Sequence, residues 1–194
     1  MQNDTSFARL VALACHDVRT PLATVHGFAR TLSRTGGLEP PADRYVAMIE
    51  AASAQIAELL DELALVARLE SGRYEPALQE ADTLELARAA AERLGDERVR
   101  VSGEGAEVRT DRAAVDRGVS ALVQAALRHG GLDEVDVEVR GAEIDVRPIT
   151  DSSAPVVLGE ELRDLGAAVA VRVVESLGGA VTVADGTLTI RLRA

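Results

Sequence analysis

The stretch His16-Asp17-Val18-Arg19-Thr20-Pro21-Leu22 places an imidazole directly before a carboxylate, with a hydroxyl one helical turn further on. On a helix, Asp17 and Thr20 share a face near His16, because residues three apart are neighbours on the helix surface. An exposed imidazole in this setting can accept a phosphoryl group on a ring nitrogen as a covalent nucleophile. A His-Asp pair alone is also typical of an ordinary helix surface, so the surrounding segments decide between the two interpretations.

Two long helices are predicted around this stretch. From about residue 4 to residue 33, apolar side chains recur at three- and four-residue steps and form one stripe. A second helix is predicted over residues 42–71, after a turn at 34–41 that contains paired glycines and paired prolines. Pro21 should bend the first helix, and Gly72 should end the second. Two antiparallel helices cannot enclose so wide a stripe, so we expect a homodimer that forms a four-helix bundle.

Composition excludes several classes of function. The chain has 194 residues and a formal net charge of −11, which argues against binding to nucleic acid or to an anionic membrane surface. Cys15 is the single cysteine, and three widely spaced histidines form no plausible metal site. His129 is expected to interact with carbonyls at a helix end, and His26 to be a surface or bundle residue. With no apolar run of membrane-spanning length and no signal peptide, we expect a cytoplasmic protein.

The opening stretch, with the six residues that follow it, resembles the phosphoacceptor box of two-component sensor histidine kinases. Residues 65–73, at the end of the second predicted helix, resemble the exit of that family's dimerisation and phosphotransfer hairpin. The resemblance implies that His16 is the phosphoacceptor and that Asp17 acts as a general base in autophosphorylation. It also implies that Thr20 positions water when a partner's phosphoaspartate is hydrolysed.

The remainder of the chain predicts a different architecture. Residues 1–74 should form the hairpin, and residues 75–194 a small α/β sandwich with helices on one face of a sheet, which makes the chain α+β. The helices are predicted at 84–94, 111–129 and 162–177, and the strands at 99–101, 108, 135–139, 144–146 and 181–192. Asp185-Gly186 predicts a type I′ turn in the last hairpin.

This order resembles the ATP-binding domain of the same kinases, but the residues of the nucleotide site depart from the family pattern. Ala121 and Ala125 stand where the family has two asparagines, the second of which normally helps to hold magnesium, and alanine has no oxygen to offer the ion. Asp164 and Gly166 lie at the phosphate loop, with Asp164 in place of a glycine, so its carboxylate should repel phosphates. No Asp-x-Gly-x-Gly motif is present, and residues 149–164 are too few for a full nucleotide lid. We therefore expect no ATP binding and no resident cofactor.

These observations favour a histidine phosphotransfer protein that exchanges phosphoryl groups between His16 and the receiver domains of response regulators. Each receiver would supply the magnesium. An apolar groove near Leu13, Leu22 and Val25, together with Arg19, would dock the receiver. The alternative is a non-catalytic pseudokinase adaptor that binds or dephosphorylates a response regulator, and a less favoured alternative is an active sensor histidine kinase.

Overall fold

A computed structural model of the chain describes residues 2–193, with side chains described from residue 7 onward. The chain divides into two compact units, Met1–Tyr74 and Glu75–Ala194. The first unit is helical, and the second combines a sheet with helices. The fold is therefore of the α+β class that the sequence predicts.

The first unit is an antiparallel hairpin of α1 (Gln2–Thr35) and α2 (Ala42–Glu70). α1 continues through Pro21 without a break in its assignment, so the bend expected there stays a prediction. Gly36, with a φ of 70°, opens the connection to α2, and Gly72, with a φ of 65°, follows its end. Both helix ends thus use the backbone conformation that only glycine adopts easily.

The hairpin buries few side chains for its length. Those buried between its helices are small or lie near the end of α2: Ala8, Cys15, Ala29, Ser53, Leu65 and Ala67. Most of its large apolar side chains are exposed. The hydrophobic pattern that makes both helices amphipathic is therefore only partly satisfied within one copy of the chain.

Over residues 75–193, the second unit contains eleven helices and strands, of which four precede the longest helix and six follow it. In chain order they are β1 (Leu78–Asp82), α3 (Thr83–Leu94), β2 (Val99–Gly105), β3 (Glu107–Asp111), α4 (Arg112–Gly130), β4 (Val135–Gly141), β5 (Glu143–Arg147), α5 (Ala154–Val157), α6 (Leu165–Ser176), β6 (Ala180–Ala184) and β7 (Thr187–Arg191). β1 and β3 form a separate antiparallel pair.

The main sheet has the strand order β2-β4-β5-β7-β6, with β2 parallel to β4 and the other neighbours antiparallel. Its apolar positions alternate with polar ones, so one face can pack on the helices. The largest fully buried side chains come from both layers: Leu86 and Leu122 from α3 and α4, and Ile144, Leu188 and Ile190 from β5 and β7. The core is aliphatic, as expected from a sequence with 2% aromatic residues.

The opposite face of the sheet carries charges that neutralise one another. Arg100 binds Glu134 at 2.6 Å and Asp136 at 2.8 Å, and hydrogen bonds to Asp136 and then Glu134 raise the pKa of its guanidinium. Arg140 pairs with the buried Asp145, and this hydrogen bond raises the pKa of Arg140. This face is polar and internally compensated, so it needs no covering layer.

Three differences from the sequence-based prediction have physical causes. α6 begins at Leu165 rather than at residue 162, because the Asp164 side chain accepts a hydrogen bond from the backbone N–H of Ala167 and caps the helix. β1 was not predicted, since only its fourth residue is buried and it lacks alternation. α5 was not predicted, since a four-residue helix has no period to detect.

The predicted turns are confirmed. Asp185 and Gly186 both have positive φ, at 48° and 70°, as a type I′ turn requires. Gly131 adopts a left-handed conformation, with a φ of 63°, and ends α4. These local signals fix the hairpin β6–β7 and the end of α4, which carries His129.

Candidate functional site

The side chains of α1 fall on three faces of the helix, which can be told apart because each residue is rotated by about 100° from the one before it. One face, which includes Ala8, Cys15 and Ala29, is buried in the hairpin. A second face carries exposed apolar side chains, and a third carries His16. By helical geometry the third face is turned away from Val25 by about 180°.

His16 and Asp17 are exposed and in contact. Their side chains are 77% and 68% exposed, and the Nδ1 atom of His16 lies 3.2 Å from Oδ1 of Asp17. An ionised carboxylate only accepts hydrogen bonds, so Nδ1 is the atom that carries the proton and donates it. The Nε2 atom of His16 is left with its lone pair, which is the form of the ring that a nucleophile requires.

Thr20 is placed near this pair, one turn further along α1. It is four residues beyond His16, about 40° around the helix, and is exposed. Its backbone carbonyl accepts a hydrogen bond from Oγ1 of Thr24 at 3.2 Å. Pro21 has no N–H, so the Asp17 carbonyl receives no helical hydrogen bond from that position. His16, Asp17 and Thr20 therefore form one exposed polar group.

The four residues predicted to bind a partner do not form one patch. Arg19 donates to Oδ1 of Asp61 on α2 at 2.6 Å, so it links the two helices of the hairpin. Leu13 and Arg19 lie about 60° from His16 on opposite sides, Leu22 about 120° away and Val25 about 180° away. The role of these residues in partner binding stays a prediction, but they surround α1 rather than line one groove.

His26 is a bundle residue, one of the two alternatives expected for it. Its Nδ1 lies 3.0 Å from Oγ of Ser53, which is buried in α2. The Ser53 hydroxyl donates to the Glu50 carbonyl at 2.9 Å, so the hydroxyl accepts from His26 and Nδ1 carries the proton. Sequence reasoning missed Ser53 because a polar residue on a helix gives no sign of its partner.

The exposed apolar face of the hairpin runs along both helices. On α1 it comprises Phe7, Leu10, Val18, Val25, Phe28 and Leu32, and on α2 it comprises Tyr45, Met48, Ile49, Ile56, Leu59 and Leu63. The spacing of three and four residues gives one continuous stripe on each helix. An apolar surface of this length on both helices is typical of a helix-bundle interface.

In the second unit, Ala121 and Ala125, which by the resemblance replace two asparagines, both lie on α4. Ala125 is fully buried and Ala121 half-buried. The side chain at position 125 is therefore out of contact with solvent. Neither alanine has a side-chain oxygen that could coordinate a cation. Within residues 2–193, no group of three or more His, Cys, Asp or Glu side chains is arranged to hold a metal ion.

Asp164 is held in place by groups from α4 and α6. One carboxylate oxygen accepts from the Ala167 N–H at 3.1 Å, and the other lies 3.1 Å from Nε2 of His129 and 3.3 Å from Nη1 of Arg128. The Asp164 side chain is only 11% exposed. The N-terminus of α6, close to Gly166, is thus already occupied by a negative group of the chain itself.

His129 has a different role from the one expected of it. It lies in the last turn of α4, but its imidazole contacts the Asp164 carboxylate rather than the helix's own last carbonyls. The His129 carbonyl accepts instead from Oγ of Ser152 at 2.9 Å. Sequence analysis could not find this pairing, because the two residues are 35 positions apart and belong to different helices.

The segment predicted to be too short for a nucleotide lid folds into a packed element. Val156 and Val157 of α5 are completely buried, and so is Ser153. α5 contacts both α4 and α6. The neighbouring Leu162 is 74% exposed. A short buried helix and an exposed loop therefore occupy residues 153–164.

The site and the fold together define a class of protein: a helical hairpin that displays an exposed histidine, joined to a mixed α/β sandwich. A family model of the His Kinase A (phospho-acceptor) domain matches residues 8–72. Over 71 residues the chain is 32% identical to a probable sensor histidine kinase, TcrY of Mycobacterium tuberculosis, a match that covers 37% of this chain and 15% of that protein. The helical hairpin of this chain is therefore similar to the phosphoacceptor domain of sensor histidine kinases.

Solved structures share the fold of both units. The crystal structure of full-length ShkA in complex with AMPPNP matches 96% of this chain and 46% of that one, with a TM-score of 0.67 and 19% identity. The ATP binding domain of PrrB from Mycobacterium tuberculosis matches 61% of this chain and 98% of that one, with a TM-score of 0.50 and 20% identity. At such identities the likeness concerns the fold alone.

The chain aligns with only a small part of its curated relatives, about a seventh of the length of TcrY (15%). None of the helices described over residues 2–193 is long and apolar enough to span a bilayer.

Proposed function

We propose that this protein is a histidine phosphotransfer protein, which accepts a phosphoryl group at His16 from one response-regulator receiver domain and donates it to another. The observation that carries the proposal is the exposed His16, whose Nδ1 is bound by Asp17 at 3.2 Å so that Nε2 is free to react. The match of residues 8–72 to the His Kinase A (phospho-acceptor) domain supports receiver domains as the partners.

In the proposed reaction, the lone pair on Nε2 of His16 attacks the phosphorus of an aspartyl phosphate. A nitrogen–phosphorus bond forms while the bond from phosphorus to the carboxylate oxygen breaks, and the electron pair leaves with the carboxylate. The imidazole ring then carries a positive charge and keeps its proton on Nδ1. The Asp17 carboxylate stabilises that charge through the same hydrogen bond. Transfer to a second receiver is the reverse reaction.

The second unit supports the proposal because its residues do not fit a bound nucleotide with magnesium. Ala125 is fully buried and has no oxygen. By the resemblance, the Asp164 carboxylate stands in place of a glycine of the phosphate loop, and it already binds the adjacent side chains of Arg128 and His129. At an effective dielectric of about 20, two like charges about 4 Å apart repel by roughly 4 kcal/mol. In this proposal the receiver domains supply the magnesium.

The exposed apolar face supports a homodimer. Its side chains include Val18 and Val25 on α1 and Ile56 and Leu59 on α2, each between 44% and 49% exposed. Packing of a second copy on this face would complete a four-helix bundle. His16 lies on another face of α1, so the proposed dimer leaves it accessible.

The decisive experiment follows a phosphoryl group from two possible donors, a receiver domain and ATP, to His16. Incubation with a phosphorylated receiver domain should move the phosphoryl group to the wild-type protein but not to a His16→Gln variant. His26→Gln is the matched control, because it removes the other histidine of α1 and keeps an amide that can bond to Ser53. Incubation with labelled ATP and magnesium should leave the protein unlabelled. Labelling of His16 by ATP would instead identify an active kinase.

The alternative function is a non-catalytic adaptor that binds or dephosphorylates a response regulator. The exposed hydroxyl of Thr20 beside Asp17 favours it, because such a group can orient water towards a bound phosphoaspartate. Receiver binding without transfer to His16, combined with faster loss of phosphate from the receiver, would support this alternative. A Thr20→Ala variant should then abolish that loss.

A further inference from the structure

The two edge strands of the main sheet differ in their chemistry. Over residues 75–193, β2 lies at one edge, and β6 lies at the other and is paired on one side only, with β7. β2 carries the charged side chains of Arg100 and Glu104, and Gly103 departs from an extended conformation with a φ of 102°. Charges and local distortions on an edge strand hinder its pairing with another chain. β6 (Ala180–Ala184) has no charged residue, proline or glycine, so its open edge lacks this protection.

The open edge of β6 presents the backbone groups of Val181 and Val183. The turn between β6 and β7 has two residues, so the pair that closes it, Ala184 and Thr187, is a hydrogen-bonded pair. Hydrogen-bonded and non-hydrogen-bonded pairs alternate along an antiparallel ladder. Ala184 and Thr182 therefore direct their N–H and C=O groups towards β7, and the two valines direct theirs away from it.

The other side of β7 supports this alternation. The Leu192 N–H donates to the Ala142 carbonyl at 2.9 Å, in the register of the β5–β7 pair. Even-numbered residues of β7 therefore direct their backbone groups towards β5, and odd-numbered residues towards β6. Thr189, an odd-numbered residue, lies opposite Thr182. The backbone groups of Thr182 are thus used inside the hairpin β6–β7.

The sequence of β6 is complementary to itself. Ala-Val-Thr-Val-Ala reads the same in both directions. If two copies pair antiparallel about a two-fold axis at Thr182, Val181 of each copy lies opposite Val183 of the other. Their outward N–H and C=O groups then form four hydrogen bonds across the axis. The valines, which are half-buried, meet on the helix-covered face, and the exposed threonines meet on the outer face.

Charges at the two ends of β6 match in the same register. Asp185 of one copy lies opposite Gly179 of the other. The Arg193 side chain lies beside the neighbouring Gly178, with its Cδ atom 3.3 Å from the position that a Cβ atom would take there. Asp185 and Arg193 are exposed, and neither has an ion pair among the side chains described over residues 7–193. The two-fold axis brings them together twice, which favours a second copy over an unrelated strand.

We propose that β6 pairs with β6 of a second copy of this chain, about a two-fold axis at Thr182, and so joins two five-stranded sheets into one. A contact between two five-residue strands, each about 17 Å long, is smaller than the interface of about 1,200 Å² that a stable complex needs. The pairing is therefore weak by itself. Where the homodimer proposed above already joins copies through their hairpins, the higher effective concentration strengthens the pairing, and in this respect the inference rests on that homodimer.

The first test measures amide hydrogen exchange by NMR in the full chain. Val181 and Val183 should be protected in the wild-type protein, although their N–H groups face away from β7. Thr182→Lys places like charges opposite each other at the axis, so both valine amides should exchange at least about 10-fold faster. The amide of residue 182 should keep its protection, because it is bonded to β7. Ser102→Lys adds the same charge to the exposed surface of β2 and should leave the valine amides unchanged.

The second test traps the pair as a disulfide in a Cys15→Ala background, with oxidised glutathione as the oxidant. Thr182→Cys should form an intermolecular disulfide, because residues opposite each other in a non-hydrogen-bonded pair have Cα atoms about 4.5 Å apart, which a disulfide can span. Ala184→Cys is the matched control on the same strand and is also exposed. In this register its two copies are about 13 Å apart, so its disulfide should form at least about 10-fold more slowly. Arg193→Glu should slow the trapping of Thr182→Cys by about two- to fivefold.

Two results overturn the inference. If Val181 and Val183 exchange as unprotected amides in the dimeric wild-type protein, the edge of β6 is not covered by a second copy, even if it binds a strand of another protein. Equal rates of disulfide formation for Thr182→Cys and Ala184→Cys would show random collision instead of pairing. A wild-type chain that is monomeric in light scattering refutes the hairpin homodimer instead, and the two disulfide rates, compared at raised protein concentration, still decide on the pairing of β6.

Discussion

Removal of the Asp164 carboxylate should destabilise the second unit by an amount that its contacts allow us to work out. The side chain is 11% exposed and bonds to the Ala167 N–H, to His129 and to Arg128. Loss of a helix N-cap costs about 1 kcal/mol. Loss of the contact with the largely buried His129 adds about 1–2 kcal/mol, while the exposed Arg128 adds little. We expect Asp164→Ala to cost about 2–3 kcal/mol.

Asp164→Asn separates these contributions. Asparagine caps a helix as well as aspartate does, so the hydrogen bond from Ala167 should persist and only the charge should be lost. We expect this variant to cost about 1 kcal/mol, between the wild type and Asp164→Ala. Asp151→Ala, which removes an exposed acidic residue of the same unit, is the matched control and should change stability by less than about 0.5 kcal/mol.

The assay is urea unfolding of the full chain, monitored through the NMR signals of backbone amides in the second unit. The hydrogen-exchange rate of the Ala167 amide reports the local stability of the helix cap. A free-energy change of about 2–3 kcal/mol should lower the midpoint clearly, at an ordinary slope of about 1–3 kcal/mol per molar urea. Equal effects of Asp164→Ala and Asp151→Ala would refute the reasoning. So would equal effects of Asp164→Ala and Asp164→Asn, since the cap would then contribute nothing.

Three further predictions concern other parts of the chain. Ala125→Asn should lower the free energy of unfolding by about 1–3 kcal/mol, because position 125 is fully buried and the amide would lack partners. Urea unfolding measures this loss, and the labelled-ATP assay should show that the variant is still not labelled. Gly103→Ala should disrupt the pairing of β2 with β4, because Gly103 has a φ of 102° and a Cβ atom there would lie 2.0 Å from the Val139 carbonyl oxygen. Changes in the amide NMR signals of β2 would show the disruption. Ile56→Glu should shift the protein from dimer to monomer, as measured by light scattering, whereas the control Glu58→Lys on the same helix should not. An Ile56→Glu variant that stays dimeric would exclude the exposed apolar face as the interface.

Sequence patterns predicted most of the fold because the signals were local. The two long helices follow from apolar periodicity, and the ends of α2 and α4 follow from Gly72 and Gly131. The turn at Asp185-Gly186 follows from its φ requirements. β1 escaped prediction because its pairing with β3 is non-local and only one of its residues is buried.

The candidate site was predictable only in part, for a related reason. The exposed contact between His16 and Asp17 joins neighbours in the sequence, so a motif can reveal it. The contact of His129 with Asp164 joins residues from different helices, and no local pattern encodes it.

The arrangement of α1 explains how one helix can serve both a bundle and a transfer reaction. Positions that repeat at steps of three and four residues, such as Val18 and Val25, stay on one face. His16 and Arg34 are 18 residues apart, which is five full turns at about 3.6 residues per turn, so they share another face. A dimer formed through the first face therefore leaves the second exposed along its length. A substitution on one face should alter assembly without altering the chemistry of His16, and a substitution on the other should do the reverse.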